Sequence, residues 1–128
     1  MISCENTKTW IKEGPTLEII NEVDKTGKEL ADRHKGISKS QIRNIFSKLK
    51  EIEVKGFQNK KADFLMLKPL AAYSSKRSDK KIFEDLRKNL IEPAIEEVLN
   101  APNEEEAFNN FVLLFEAVLA YHKAHGGK

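Results

Sequence analysis

Three histidines, one cysteine and a run of three glutamates are the side chains from which this 128-residue chain could build a reaction site. His122 and His125 are spaced to share one side of a helix, as pairs of metal ligands often do. No second cluster of cysteine or histidine completes a tetrahedral set, and His34 stands apart, so structural or surface roles are expected for all three. Cys4 has no base beside it in the chain, and nothing marks it as a nucleophile. Glu104, Glu105 and Glu106 read as the acidic first turn of a helix, where the dipole favours carboxylates, and not as a catalytic pair. No glycine-rich phosphate loop precedes a helix. These residues nominate no reaction, no cofactor and no metal; the chain reads as a non-enzyme.

The cations are better organised. At about 100° per residue, Lys39, Arg43 and Lys50 fall within about 40° of one another on a helix, with Ser47 on the same side. Such a row can follow phosphates and position a nucleic acid without reading its sequence. A helix flanking a core also carries a polar edge for no special reason. That bland reading fits Lys50 better than Arg43, whose planar fork suits phosphate. Lys60, Lys61, Lys68, Lys76, Arg77, Lys80 and Lys81 add to the same field. Tyr73 could stack on a base or sugar, although a tyrosine after Leu70, Ala71 and Ala72 is more often part of a core.

Charge is segregated along the chain. The net value is only +2, but residues 35–81 carry thirteen cationic and four acidic side chains, and residues 82–120 carry two and nine. A middle third of +9 attracts polyanions, and it could equally join acidic faces of other proteins or of further copies of this chain.

With 40% hydrophobic and 33% charged residues, the composition is that of a soluble globule rather than a disordered chain. A chain of this length forms one domain and buries roughly two thirds of its unfolded surface. The lone cysteine precludes an internal disulfide, and the first ten residues lack the basic start and apolar stretch of a secretion signal. Phe111–Tyr121 is interrupted by Glu116 and falls short of the roughly 20 residues of a membrane span. A cytoplasmic protein without membrane contact is expected.

The apolar spacing is helical throughout, which predicts an all-α, compact bundle of about five helices in a single domain over residues 1–128. Residues 1–15 are expected to be poorly ordered or extended. Pro15 and Thr16 open the first helix, with Ile20, Val23, Gly27, Leu30, Ala31 and His34 in register, and Gly36 ends it. Ser38 and Gln41 form a capping box for the second, whose stripe is Ile42, Ile45, Phe46, Leu49 and Ile52. A third runs through Phe64–Leu67, where Pro69 must kink it or open a new helix. Ser78 or Asp79 caps the fourth, which Pro93 should bend or split. Asn103 and Glu106 start the fifth, with Phe108, Phe111, Val112, Phe115, Val118, Leu119 and His122 on its apolar face and Gly126–Gly127 closing it.

Three blocks then carry a resemblance: ISKSQIRNIFSKL, FLMLKPLAAYSSKR and FNNFVLLFEAVLAYHKAHGGK. In this order, over much of residues 37–128, they resemble the small subunit of type III-A, Csm-type, CRISPR effector complexes. The last block is the most specific. The resemblance implies a helical, non-catalytic subunit stacked in several copies along a ribonucleoprotein. Its partners would be guide RNA and target RNA, the backbone and large signature subunits, and neighbouring copies of itself. RNA contacts are expected at Lys39, Arg43, Lys50, Lys68, Tyr73, Lys76, Arg77 and Lys123. A helical adaptor that uses its basic face to bind an acidic protein partner is the alternative.

Overall fold

A computed structural model describes residues 1–128, and every element in it is helical. The α-helices are α1 (Cys4–Glu13), α2 (Leu17–Leu30), α3 (Lys39–Lys55), α4 (Lys61–Leu65), α5 (Leu67–Ser78), α6 (Lys81–Leu86), α7 (Glu92–Asn100) and α8 (Glu104–Ala124). A 3-10 turn (Phe57–Lys60) precedes α4, and a π-helical turn (Arg87–Ile91) joins α6 to α7. With α4–α5 and α6–α7 each read as one interrupted rod, the bundle has six helical rods, one more than expected.

The additional rod is α1. Residues 4–13, expected to be extended or poorly ordered, form a capped helix: the Ser3 side chain accepts from the Asn6 amide, and the Gly14 amide donates to the Trp10 carbonyl at φ 84°. Its buried face is Thr7, Trp10 and Ile11, too few apolar residues to show a periodicity. Its order comes instead from long-range contacts, with Ile2, Trp10 and Ile11 buried in the core and hydrogen bonds joining the segment to α2 and α8. The Trp10 indole donates to the Asn110 carbonyl at 2.9 Å, and the Asn110 amide donates back to the Ile11 carbonyl at 3.0 Å. The Ile2 amide donates to the Thr26 hydroxyl at 2.7 Å.

Helix α8 is the centre, packed by α2, α1, α3 and α7. That is why its apolar face is wide, with Phe108, Phe111, Val112, Leu114, Phe115, Val118 and His122 all buried. Leu119 is only half-buried. The α2–α8 crossing is close because Gly27 offers no side chain; a Cβ there would lie 2.4 Å from that of Tyr121. A second glycine is required at 127, where a Cβ would sit 2.2–2.5 Å from the His122 ring. The buried His122 donates from Nε2 to the Ile37 carbonyl at 2.8 Å, tying the C-terminal turn to the α2–α3 connection.

Both internal prolines interrupt their rods as the spacing predicts. Pro69 occupies the third position of α5, and the chain bends through Met66 just before it. Pro93 follows the π-helical turn and supplies no N–H to the Asn89 carbonyl. That carbonyl accepts instead from the buried Thr7 hydroxyl at 2.8 Å. Neither Ser78 nor Asp79 caps α6: Asp79 ends α5 in the left-handed region at φ 56°, and Lys80 precedes α6 without a side-chain cap. The first long helix also ends earlier than expected, at Leu30, because Asp32 takes the His34 and Lys35 amides at 2.9 and 2.8 Å and turns the chain.

Candidate nucleic-acid interface

Helix α3 is the element on which the candidate site is built. Ser38 caps it by accepting from the Gln41 amide while Gln41 Oε1 accepts from the Ser38 amide, so its first turn is firmly started. Ile42, Ile45, Leu49 and Ile52 hold it on the core, which leaves an outward ridge with a furrow on each flank.

The flank toward α8 holds Arg43, Ser47 and Lys50, as the helical spacing predicts, with Phe46 and Leu119 as its floor and Val54 at one end. Arg43 is exposed and pairs with no carboxylate among the ion pairs of the fold. Lys50 is different. Its ammonium donates to Glu53 at 2.6 Å, and that bond, aided by Glu116, holds its pKa above the usual lysine range. Lys39 sits half-buried at the first position of α3, outside this furrow. Lys123 is exposed and one helical turn beyond Leu119, on the side of α8 that borders the furrow.

The flank toward α5 is a longer valley. Its position depends on an aromatic cluster that pins the 3-10 turn and α4 to α8: Phe57 stacks on Phe108 with centroids 5.0 Å apart, and Phe64 meets Phe108 edge-on at 5.6 Å. Helix α5 is then held by a narrow stripe, Leu67, Ala71 and Ser75. Tyr73 lies about 200° from Ala71 and Arg77 about 240°, so both point outward on the α3 side. Tyr73 is 63% exposed, which removes the core reading of this ring. One end of the valley brings Tyr73 and Arg77 together with Ser40, Gln41 and Asn44 of α3. Arg77 is exposed and has no carboxylate partner either.

The same geometry sends two of the expected residues elsewhere. Lys68 and Lys76 occupy the opposite flank of α5. Lys68 approaches Glu96 of α7 at 3.5 Å, and Lys76 lines a shallow hollow with Asp79, Lys80 and Glu84. Other cations of the middle third are likewise neutralised: Lys61 by Glu104 and Lys55 by Glu51, both at 2.9 Å, and Lys81 by Asp85. Lys48 and Lys60, by contrast, border the valley without ion pairs. Lys60 belongs to the basic field counted from the sequence, whereas Lys48, Ser40 and Asn44 were not singled out there. The signal for these three was their angular position on α3, on the side away from the Arg43 row.

The three histidines do not converge. His122 is buried on Ile37, His125 pairs with Asp24 at 2.5 Å, and His34 is exposed on the α2–α3 turn. No group of three His, Cys, Asp or Glu side chains is arranged to hold a metal ion, and no helix is long and apolar enough to cross a membrane. What the site can do chemically is attract an anionic chain and offer it an aromatic face.

Residues 15–128 match the family model described as Csm2 Type III-A; α1 precedes the matched stretch. No curated protein and no solved structure matches the chain.

Proposed function

The chain belongs to the Csm2 Type III-A family, the small subunit of the type III-A CRISPR complex, and from that premise we propose that it binds guide and target RNA through their backbones. One observation supports this reading above the rest. Arg43 and Arg77, on the two flanks of the α3 ridge, are exposed guanidinium groups with no carboxylate partner, whereas five lysines of the same basic region are paired. A planar fork left free in a furrow is suited to bidentate phosphate contact. Lys39 and Lys123 extend the α8 flank, Lys50 lines it with its ammonium shared with Glu53, and Tyr73 accompanies Arg77. Lys68 meets Glu96 on the far side of α5, and Lys76 faces that side without an ion pair. The protein contributes no catalytic group. It adds backbone contacts to an assembly in which base pairing between guide and target supplies the specificity, as in other RNA-guided effectors. Further copies meet through opposite charge, the acidic start of α8 against the basic α3–α5 side.

The test is a salt titration of single-stranded RNA binding by the full chain. Losing one phosphate contact on a single strand lowers the log–log salt slope by about 0.7. Arg43→Ala combined with Arg77→Ala should therefore flatten the slope by about 1.4 and weaken unrelated sequences alike, with melting behaviour unchanged. Lys68→Ala should leave the slope as it is. Equal slopes and affinities for the double variant and the wild type would defeat this reading and favour the adaptor, in which the basic face meets an acidic protein.

A further inference from the structure

The valley between α3 and α5 changes character along its length. Beyond the polar end at Arg77, it continues past Tyr73 into a cleft of about 410 Å³, within the size range of small-molecule sites. Ile52 and Leu67 form its buried floor; Met66, Pro69 and Tyr73 form its walls. Met66 and Tyr73 are each 63% exposed, an unusual outlay of apolar surface on one short stretch of a soluble bundle. Tyr73 borders both halves of the valley.

We propose that this cleft receives an unstacked nucleobase of single-stranded RNA, stacked on Tyr73 with Met66 and Pro69 against its edge, while Arg77 takes an adjoining phosphate. The proposal rests on the RNA-binding reading above and adds a contact to the face of a base, which backbone binding does not need. Three features favour a nucleotide over an aliphatic side chain of a partner protein. First, the apolar cleft runs directly into a groove lined by hydroxyls, amides and a free guanidinium, matching a base joined to a sugar and phosphate. Second, Tyr73 and Arg77 are one helical turn apart, about 5–6 Å between Cβ atoms, so a base on the ring leaves a phosphate within reach of the fork. Third, the rim cations Lys48 and Lys60 have no ion pairs. Of the two rim carboxylates, Glu51 hydrogen-bonds Lys55 and feels Lys48 and Lys60 only at longer range, and Asp63 attracts Lys55 at longer range. Every base has a π face, so such a slot tolerates any sequence, consistent with a subunit that leaves specificity to base pairing.

The experiment titrates the full chain with a uridine-rich single strand carrying one fluorescent adenine analogue, and with a matched strand that is abasic at that position. Wild type, Tyr73→Phe, Tyr73→Ala and Met66→Ala are compared, each across a salt series. The expected result is quenching of the analogue and a loss of roughly tenfold in affinity for the abasic strand, the scale of one base–aromatic contact. Tyr73→Phe should retain both effects. Tyr73→Ala should abolish both with the salt slope unchanged, because no phosphate contact is lost. Met66→Ala should weaken quenching in the same direction. If the two strands bind alike and Tyr73→Ala equals wild type while salt dependence persists, the slot is refuted and the backbone reading survives. If Tyr73→Ala flattens the salt slope, the ring acts by positioning Arg77 and the slot is again refuted. If no RNA is bound under any condition, both readings fall. Loss of a protein partner by Tyr73→Ala, with RNA binding intact, would assign the cleft to that protein.

Discussion

Replacing Thr7 by valine isolates a single hydrogen bond across the most irregular part of the fold. Pro93 cannot donate to the Asn89 carbonyl, and the Thr7 hydroxyl supplies the missing donor at 2.8 Å from a side chain with no solvent exposure. Valine has nearly the same shape, so packing changes little, but the carbonyl is left without its partner. An unsatisfied group of this kind costs about 1–3 kcal/mol when fully buried. Because Asn89 is only partly buried, about 1–2 kcal/mol is the expected loss. The diagnostic comparison uses Pro93→Ala, which restores an N–H one helical turn after Asn89. In that background Thr7→Val should lose less, and the coupling between the two positions should be about 1 kcal/mol. Urea unfolding of the four proteins measures it. An identical cost of Thr7→Val in both backgrounds would refute the idea that the hydroxyl substitutes for the proline's missing donor. All four should keep the wild-type salt slope with RNA, since α1 packs on α7, α8 and the π-helical turn and not on the α3–α5 valley.

Two further outcomes follow from the core and from the α2–α3 turn. Phe111→Ala should cost about 3–5 kcal/mol, a large share of the stability of a domain this size, and wild-type melting of that variant would contradict the central place of α8. The Asp32 carboxyl is held below its ordinary pKa first by the Lys35 amide and then by the His34 amide. Its ionised form therefore favours the folded state: the contribution is complete above the unfolded aspartate range near about pH 4 and disappears as pH falls through the lower folded-state value. Asp32→Ala should melt lower than wild type at neutral pH, with the two curves converging in acid. A gap in melting temperature that persists unchanged to the lowest accessible pH would show that the turn does not depend on that charge.

Where apolar spacing is long, the fold is legible in the residues. The α3 stripe, its capping box and the aromatic face of α8 occur as the periodicity predicts, because burial of several side chains at three- and four-residue intervals outweighs local alternatives. Helix α1 escapes that reading for a physical reason. Its buried face contains a threonine and a single tryptophan beside one isoleucine, and its order depends on packing against α7 and α8 and on bonds to Asn89 and Asn110, about eighty to a hundred residues away. No local window contains that information, although Ser3 and Gly14 mark the two ends. The left-handed Asp79 is similar: its conformation ends α5, where the residue type alone suggested the start of a helix.

The candidate site was half legible, and the missing half lies in pairing rather than in charge. Counting cations locates the basic third of the chain but treats Lys61, Lys68 and Arg77 as equals. In the folded protein Lys61 and Lys68 turn to the glutamates of α8 and α7, while Arg77 and Arg43 meet none. Part of this was available beforehand: on a helix held by Leu67, Ala71 and Ser75, Lys68 and Lys76 must point to one flank and Tyr73 and Arg77 to the other. The remainder was not, because which flank faces acidic neighbours depends on where α7 and the start of α8 pack. An acidic segment late in the chain thus trims the basic segment before it. The neutralised lysines help hold the bundle's exterior, and the two unpaired arginines of the basic third stand on the flanks of the α3 ridge. A polyanion is drawn to that residue of unpaired charge, not to the total. This is why removing Arg43 and Arg77 should change the salt dependence of RNA binding, whereas removing Lys68 should not.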